Sequence, residues 1–339
     1  MSRASQARRI AVAAAYGGGS LGLLTAGAFG LIRAEAALAR RAIGEPTETP
    51  PEADGLYGSM HGGKPISFVV LGDSSAGGLG VEHGHQTPGA MMAAGLAEVA
   101  DRPVQLTVVA VVGAQSSSLD EQIDRIGGPG VDVAVIMIGV NDVTHRVRPA
   151  TAVRHLDQAV RRLRDMGAEV VVGTCPDLGT VEPVPQPLRW IARRSSRALA
   201  AAQTIAIVDA GGRSVSLGDI LGPEFAASPS EMFGPDGFHP SVAGYASASA
   251  VLLPSLGAAL GVWFDADEEL RPDLARGEGV RPVSVAAAEA VDTAGTEVAG
   301  AQVAGRDRGP RGQWALLRRR PGQPAPEVQA AAEHSLDGT

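Results

Sequence analysis

Four short runs of apolar, mostly β-branched residues constrain the fold of this 339-residue chain more than any other sequence feature. They lie at 66–71, 106–112, 133–138 and 170–173, with a weaker fifth run at 205–208. Polar residues do not alternate within them, which indicates strands buried on both faces, as in a parallel sheet covered by helices. The segments with helical character that follow the runs are 87–100, 116–126, 149–166, 187–202 and 241–262. The pattern predicts an α/β domain of three layers around a central parallel sheet of about five strands.

The predicted sheet domain covers residues 66–264, and the chain on either side of it differs in composition. A basic segment, 1–9, precedes residues 10–32, which carry no charge at all. As a helix this run would be about 34 Å long, enough to cross the hydrocarbon core of a bilayer. We expect a transmembrane anchor at 10–32; a cleaved signal segment and a buried soluble helix are the alternatives. Residues 33–65, rich in proline and glycine, predict a linker, and 265–339 predict a disordered tail.

Composition narrows the classes of function. One cysteine excludes a disulfide framework and a zinc site built from several cysteines. A net charge of −8 argues against nucleic acid as the main partner. We expect no cofactor and a localisation at the membrane on its extracytoplasmic side, or secretion if the signal is cleaved. Nothing in the sequence indicates the oligomeric state.

Segments with residues suited to catalysis follow three of the predicted strands, and a fourth such segment precedes the last predicted helix. The segments are Gly72-Asp73-Ser74-Ser75, Gly113-Ala114-Gln115-Ser116, Gly139-Val140-Asn141-Asp142 and Asp236-Gly237-Phe238-His239. Ligands of open α/β sheets bind outside the carboxyl ends of the strands, where the strand order reverses. If the strand order is 2-1-3-4-5, the first strand lies between the second and third, and the three strand-end segments meet at that point.

The residue types at these positions suit acyl transfer to a serine. Ser74 can serve as the nucleophile, His239 can accept its proton, and Asp236 can orient the imidazole. The backbone N–H groups of Ser74 and Gly113, together with the side-chain amide of Asn141, can stabilise an oxyanion.

Together the four segments resemble the blocks of the SGNH hydrolases, also called GDSL esterases and lipases. Ser74, Gly113, Asn141 and His239 match the four residues for which that family is named, although GDSS replaces the common GDSL at Ser75. The resemblance covers about 200 residues and implies a flavodoxin-like fold. It also implies a Ser-His-Asp triad of Ser74, His239 and Asp236, and an oxyanion hole of Ser74, Gly113 and Asn141. The expected substrate is a small-molecule, lipid or other acylated ester.

Several alternatives stay open from the residues alone. The same site can transfer an acyl (acetyl) group to another hydroxyl, and the fold can be a non-catalytic, membrane-anchored binding module. An α/β-hydrolase elbow is disfavoured because Ala76 stands where that motif needs glycine. Cys175 is a second candidate nucleophile. A metal phosphoesterase would recruit Asp73, Asn141, Asp142, His83 and His85.

Overall fold

The computed structural model describes residues 30–39, 41, 44, 49–127 and 130–262, and three two-residue strands at 297–298, 302–303 and 306–307. The predicted segments 1–9 and 265–339 lie outside the described residues, apart from these three strands. Of the predicted anchor 10–32, only residues 30–32 are described.

Five parallel strands form the centre of the sheet, in the order β3-β2-β4-β5-β6. Their bounds are Ile66–Gly72 (β2), Val104–Val108 (β3), Val133–Met137 (β4), Glu169–Gly173 (β5) and Arg213–Val215 (β6). Counted among themselves, they have the predicted 2-1-3-4-5 order, which places β2 between β3 and β4. The predicted three-layer α/β fold with about five parallel strands is confirmed.

Two antiparallel strands border this parallel centre. Gly55–Tyr57 (β1) pairs with β3, and Glu297–Val298 (β7) pairs with β6. Strand β1 lies inside the range predicted as a linker, 33–65. Asp54 Oδ1 accepts a hydrogen bond from the Val108 backbone N–H at 2.8 Å, which fixes β1 to the sheet edge.

The weak fifth run at 205–208 was predicted as a strand, and this prediction is wrong. These residues belong to the helix Leu188–Asp209, and the fifth parallel strand follows it at Arg213–Val215. Leu199, Gln203 and Ile207 are all buried at a spacing of four residues, so the apolar run continues one face of the helix.

Helices cover both faces of the sheet. They are residues 30–39 (α1), Ser74–Gly77 (α2), Pro88–Ala100 (α3), Leu119–Asp124 (α4), Val140–Thr144 (α5), Pro149–Asp165 (α6), Leu188–Asp209 (α7), Leu217–Ala227 (α8), Pro229–Met232 (α9) and Val242–Ala259 (α10). Alternate residues of β2 enter different cores: Phe68 and Val70 pack with α3 and α10, whereas Val69 and Leu71 pack with α4, α6 and α7. The absence of polar alternation in the sequence is therefore explained by burial on both faces.

One helix within the described ranges, α10, is long and apolar enough to cross a membrane. More than half of its residues are buried inside the domain, where Val251, Leu252 and Leu256 contact the sheet. This helix is therefore a core element, and its composition is weak evidence for a membrane span.

Candidate active site

Ser74 begins α2, directly after β2 ends at the carboxyl edge of the sheet. The turn requires glycine at position 72, whose φ is +139° and where a Cβ would lie 1.9 Å from the Met137 carbonyl oxygen. Asp73 then caps α2 by accepting a hydrogen bond from the Ser75 N–H at 3.0 Å. As the first residue of the helix, Ser74 has a backbone N–H that no carbonyl of the helix can accept.

A chain of two hydrogen bonds joins Ser74, His239 and Asp236. Ser74 Oγ lies 3.1 Å from His239 Nε2, and His239 Nδ1 lies 2.6 Å from Asp236 Oδ2. Ser74 and His239 are buried, and Asp236 is partly exposed. The structure thus brings together three residues that are up to 165 positions apart in the sequence.

Asp236 is held as a carboxylate by its surroundings. Burial opposes its ionisation, but hydrogen bonds from the His239 side chain and from the N–H groups of Phe238 and His239 outweigh burial and lower the pKa of Asp236. The two backbone donors reach Oδ1 at 2.9 Å each, leaving Oδ2 for the imidazole. An ionised carboxylate at Nδ1 keeps the proton on that nitrogen and leaves Nε2 free to accept one from Ser74.

Gly113 lies on the loop after β3 and Asn141 lies in the first turn of α5 after β4, and hydrogen bonds join these two segments. Asn141 Nδ2 donates a hydrogen bond to the Ala114 carbonyl at 3.0 Å, which uses one of its two amide protons and leaves the other. Asp142 accepts hydrogen bonds from Ser116 Oγ at 2.8 Å and from the Ser116 N–H at 3.1 Å. Burial raises the pKa of Asp142, while these bonds oppose the increase.

Sequence reasoning missed two buried glutamines that support these loops. Gln122 makes two 2.8 Å hydrogen bonds to the backbone of Gly72, one through its oxygen and one through its nitrogen. Gln203 similarly donates to the Ile138 carbonyl at 3.0 Å and accepts from the Cys175 N–H at 2.8 Å. For Gln122 the available signal was a polar residue in the predicted helix 116–126, whereas Gln203 lies just beyond the predicted helix 187–202, so the sequence offered no such signal for it.

Asp73 is an unusual buried carboxyl next to the serine. Its exposed fraction is 2%, and burial raises its pKa to about 7 despite the Ser75 hydrogen bond. Within the part of the chain that the structure describes, Asp73 Oδ2 and Thr174 Oγ1 have no hydrogen-bond partner. Both residues line the same cavity.

This cavity has a volume of about 90 Å³ and lies beneath the loop that carries His239. Its wall includes the immediate chain neighbours of Ser74 and His239, namely Asp73, Ser75, Phe238 and Pro240. The rest of the wall is largely apolar and includes Leu178, Val181, Leu217, Leu221, Phe225, Phe233 and Ala248. An apolar compartment therefore adjoins the hydrogen-bonded chain.

His83, His85 and Cys175, the candidates for metal binding or for a thiol nucleophile, lie on a surface loop or are buried. His83 and His85 stack with ring centroids 5.5 Å apart on a surface loop. In the described ranges they do not join a third His, Cys, Asp or Glu in a group suited to a metal ion. Cys175 is buried, and burial raises the pKa of its thiol well above the ordinary value, which disfavours the nucleophilic thiolate.

Comparison with known proteins identifies the family of the chain. The model of the GDSL-like lipase/acylhydrolase family matches residues 70–247. The chain is also 41% identical over 264 residues to the GDSL-like esterase Rv1075c of Mycobacterium tuberculosis, covering 74% of this chain and 83% of that protein. The chain belongs to the GDSL-like lipase/acylhydrolase family, as its motifs indicated, and it is an ester-hydrolysing enzyme.

Solved structures with similar folds share less sequence. TesA is 20% identical with a TM-score of 0.45, over 58% of this chain and 99% of its own. A catalytic variant of Axe2, an acetylxylan esterase from Geobacillus stearothermophilus, is 16% identical with a TM-score of 0.48, over 61% of this chain and 100% of its own.

Proposed function

We propose that this enzyme hydrolyses carboxylic esters through an acyl-enzyme on Ser74, with His239 and Asp236 completing a catalytic triad. The observation that carries the proposal is the continuous chain from Ser74 Oγ through the His239 ring to Asp236 Oδ2. Its order is the one that general-base activation of a serine requires.

In the first half of the reaction, Ser74 Oγ attacks the ester carbonyl carbon while its proton passes to His239 Nε2. The ionised Asp236 stabilises the resulting imidazolium from the Nδ1 side. When the tetrahedral intermediate collapses, the bond to the alkoxy oxygen breaks, and His239 Nε2 returns its proton to the departing alcohol. Water then attacks the acyl-enzyme with His239 as base again, releasing the acid and restoring Ser74.

The negative oxygen of the intermediate needs fixed donors. We assign this role to the Ser74 N–H, the Gly113 N–H and the second amide proton of Asn141. The hydrogen bond from Asn141 to the Ala114 carbonyl supports the assignment because it fixes the amide plane before substrate binds. Removal of one such donor costs about 10²–10³ in rate in enzymes of this kind.

We assign the acyl part of the ester to the apolar cavity beneath the His239 loop. Its wall begins at Ser75 and Phe238, beside the reacting groups, and ends at Leu221 and Phe225 of α8. A carboxylic acyl chain would bury its methylene groups there at about 0.8 kcal/mol each. The uncharged run 10–32 supports a membrane anchor, and we propose that the anchor holds this domain on the extracytoplasmic side.

A panel of p-nitrophenyl esters from acetyl to decanoyl tests this function on the full chain. We expect hydrolysis by the wild type, loss of turnover in Ser74→Ala and unchanged turnover in Ser230→Ala, which alters an exposed serine of α9. A bulky change in the cavity, Leu221→Trp, is expected to reduce the rates with long acyl chains selectively. Turnover that survives in Ser74→Ala would remove the proposed mechanism.

A further inference from the structure

Helix α1 lies outside the sheet domain in the sequence but is fixed to it by a buried carboxylate. Glu35 is 5% exposed, and its Oε2 accepts a hydrogen bond from the Leu188 N–H at 2.9 Å. Leu188 is the first residue of α7, where backbone donors lack partners within the helix and negative charge is favoured. Ala39, one turn after Glu35, is buried as well. The contact therefore sets where α1 leaves the domain.

This position is the edge of the sheet that carries the reacting groups. Helix α7 follows β5 by way of residues 174–187, so it begins at the carboxyl edge, where Ser74 also follows β2. The connecting loop reaches the site itself: a Cβ at Gly237 would lie 2.9 Å from Pro183, and Val181 lines the cavity beside Phe238. The predicted span 10–32 shares residues 30–32 with α1. The described end of the span therefore lies on a helix that contacts the carboxyl edge of the sheet.

The two contacting helices also expose apolar and basic side chains. Among the described residues, four large apolar side chains are more than half exposed: Leu31 (51%), Leu38 (57%), Met60 (81%) and Trp190 (58%). Leu31 and Leu38 belong to α1, and Trp190 belongs to the first turn of α7. Arg41, two residues after α1, and Arg194, in α7, are exposed too.

We propose that residues 33–39 of α1 and the first turn of α7 lie on the surface of the bilayer that holds residues 10–32. Leu38 and Trp190 enter the interfacial region, where tryptophan is favoured, and the arginines meet anionic headgroups. The carboxyl edge of the sheet then faces lipid. The substrate reaches Ser74 from the membrane, which makes an ester of a membrane amphiphile the class of substrate that this placement serves. The inference rests on the anchor and the esterase activity proposed above.

Quenching by brominated lipid tests the placement on the full chain in nanodiscs. Trp263→Phe with Trp314→Phe leaves Trp190 as the only tryptophan. We expect brominated phosphatidylcholine to quench most of its emission. The matched control adds Trp190→Phe and Met166→Trp. Met166 follows α6 near the start of β5, at the opposite edge of the sheet, and is 42% exposed. We expect its emission to stay unquenched.

Ester hydrolysis by surface variants tests whether the exposed apolar side chains help a lipid substrate to reach Ser74. In Leu38→Ser with Trp190→Ser, we expect kcat/KM to fall for a lipid ester in nanodiscs and to stay unchanged for a water-soluble ester in detergent. An unchanged kcat/KM for the lipid ester, or an equal fall for both esters in a variant that keeps its melting temperature, would contradict a role in lipid access. Equal quenching of both tryptophan positions, or none at Trp190, overturns the placement. Failure of the chain to co-elute with nanodiscs overturns the anchor and the placement together, whereas the esterase proposal depends only on hydrolysis of the soluble ester.

Discussion

Replacement of Asp73 by asparagine tests how much the ionisation of this buried carboxyl lowers the free energy of unfolding. Asp73 is buried beside Ser74, and burial raises its pKa from 3.8 to about 7. Asparagine keeps a side-chain oxygen that can accept the Ser75 hydrogen bond, and it is as good an N-cap as aspartate. The change therefore removes the ionisation and leaves the cap.

The expected magnitude follows from proton linkage. Because the pKa is higher in the folded state, the native protein binds a proton that the unfolded chain releases. The stability that this provides is complete below about pH 4 and is lost as the pH rises to about 7. One pKa unit corresponds to about 1.4 kcal/mol, so the whole effect amounts to about 4 kcal/mol. Relative to the variant, the wild type loses about 1.4 kcal/mol per pH unit across this window and nothing further above it.

Urea denaturation at several pH values between 5 and 8 measures this difference. We expect Asp73→Asn to be more stable than the wild type, by a margin that grows up to pH 7 and then levels off. Asp165→Asn is the control, since it removes a carboxylate from an exposed position at the end of α6. A margin that does not change with pH would show that Asp73 is not forced to ionise in a buried site, and the reasoning would be refuted.

Three further substitutions test other parts of the site. Gly72→Ala places a Cβ 1.9 Å from the Met137 carbonyl oxygen. We therefore expect the free energy of unfolding to fall by more than about 3 kcal/mol. An unchanged melting temperature would contradict this expectation. Gln122→Leu leaves the buried N–H and C=O of Gly72 without their partner, and each unpaired group is expected to lower the free energy of unfolding by about 1–3 kcal/mol. Urea denaturation measures this loss. A total loss below about 1 kcal/mol would argue against a supporting role for the Gln122 side chain. Asp236→Asn is expected to lower kcat by about 10²–10⁴-fold with little change in KM, because the tautomer of His239 is no longer fixed. A kcat within a few fold of the wild type would exclude Asp236 as the orienting residue.

Much of the fold was predictable because the central strands are buried on both faces. The four strongest apolar runs correspond to β2, β3, β4 and β5. Their order in the sheet was assumed from a known strand arrangement, because the apolar pattern of each run does not specify its neighbours. Strand β6 was missed because Arg213–Val215 is only three residues long and contains one charge, whereas the apolar run before it continues a helix. Strand β1 was missed because its pairing with β3 depends on tertiary contacts that its own sequence does not encode.

The location of the candidate site was predictable for a related reason. Ser74, Gly113 and Asn141 each follow a parallel strand, and the carboxyl ends of such strands share one edge of the sheet. The supporting contacts were not predictable, since Gln122 and Gln203 act on backbone groups 28 to 65 residues away. Only the packed structure shows which carbonyl or N–H each amide reaches.

Covalent labelling of the full chain measures directly whether Ser74 carries the acyl group. A fluorophosphonate probe is mixed with the enzyme, and intact mass with peptide mapping locates the adduct. We expect one adduct, on the peptide containing Ser74, that forms in parallel with the loss of esterase activity. This adduct is expected to be absent in Ser74→Ala and to form slowly in His239→Ala. An adduct on another residue, or full activity after complete labelling of Ser74, would show that Ser74 is not the nucleophile.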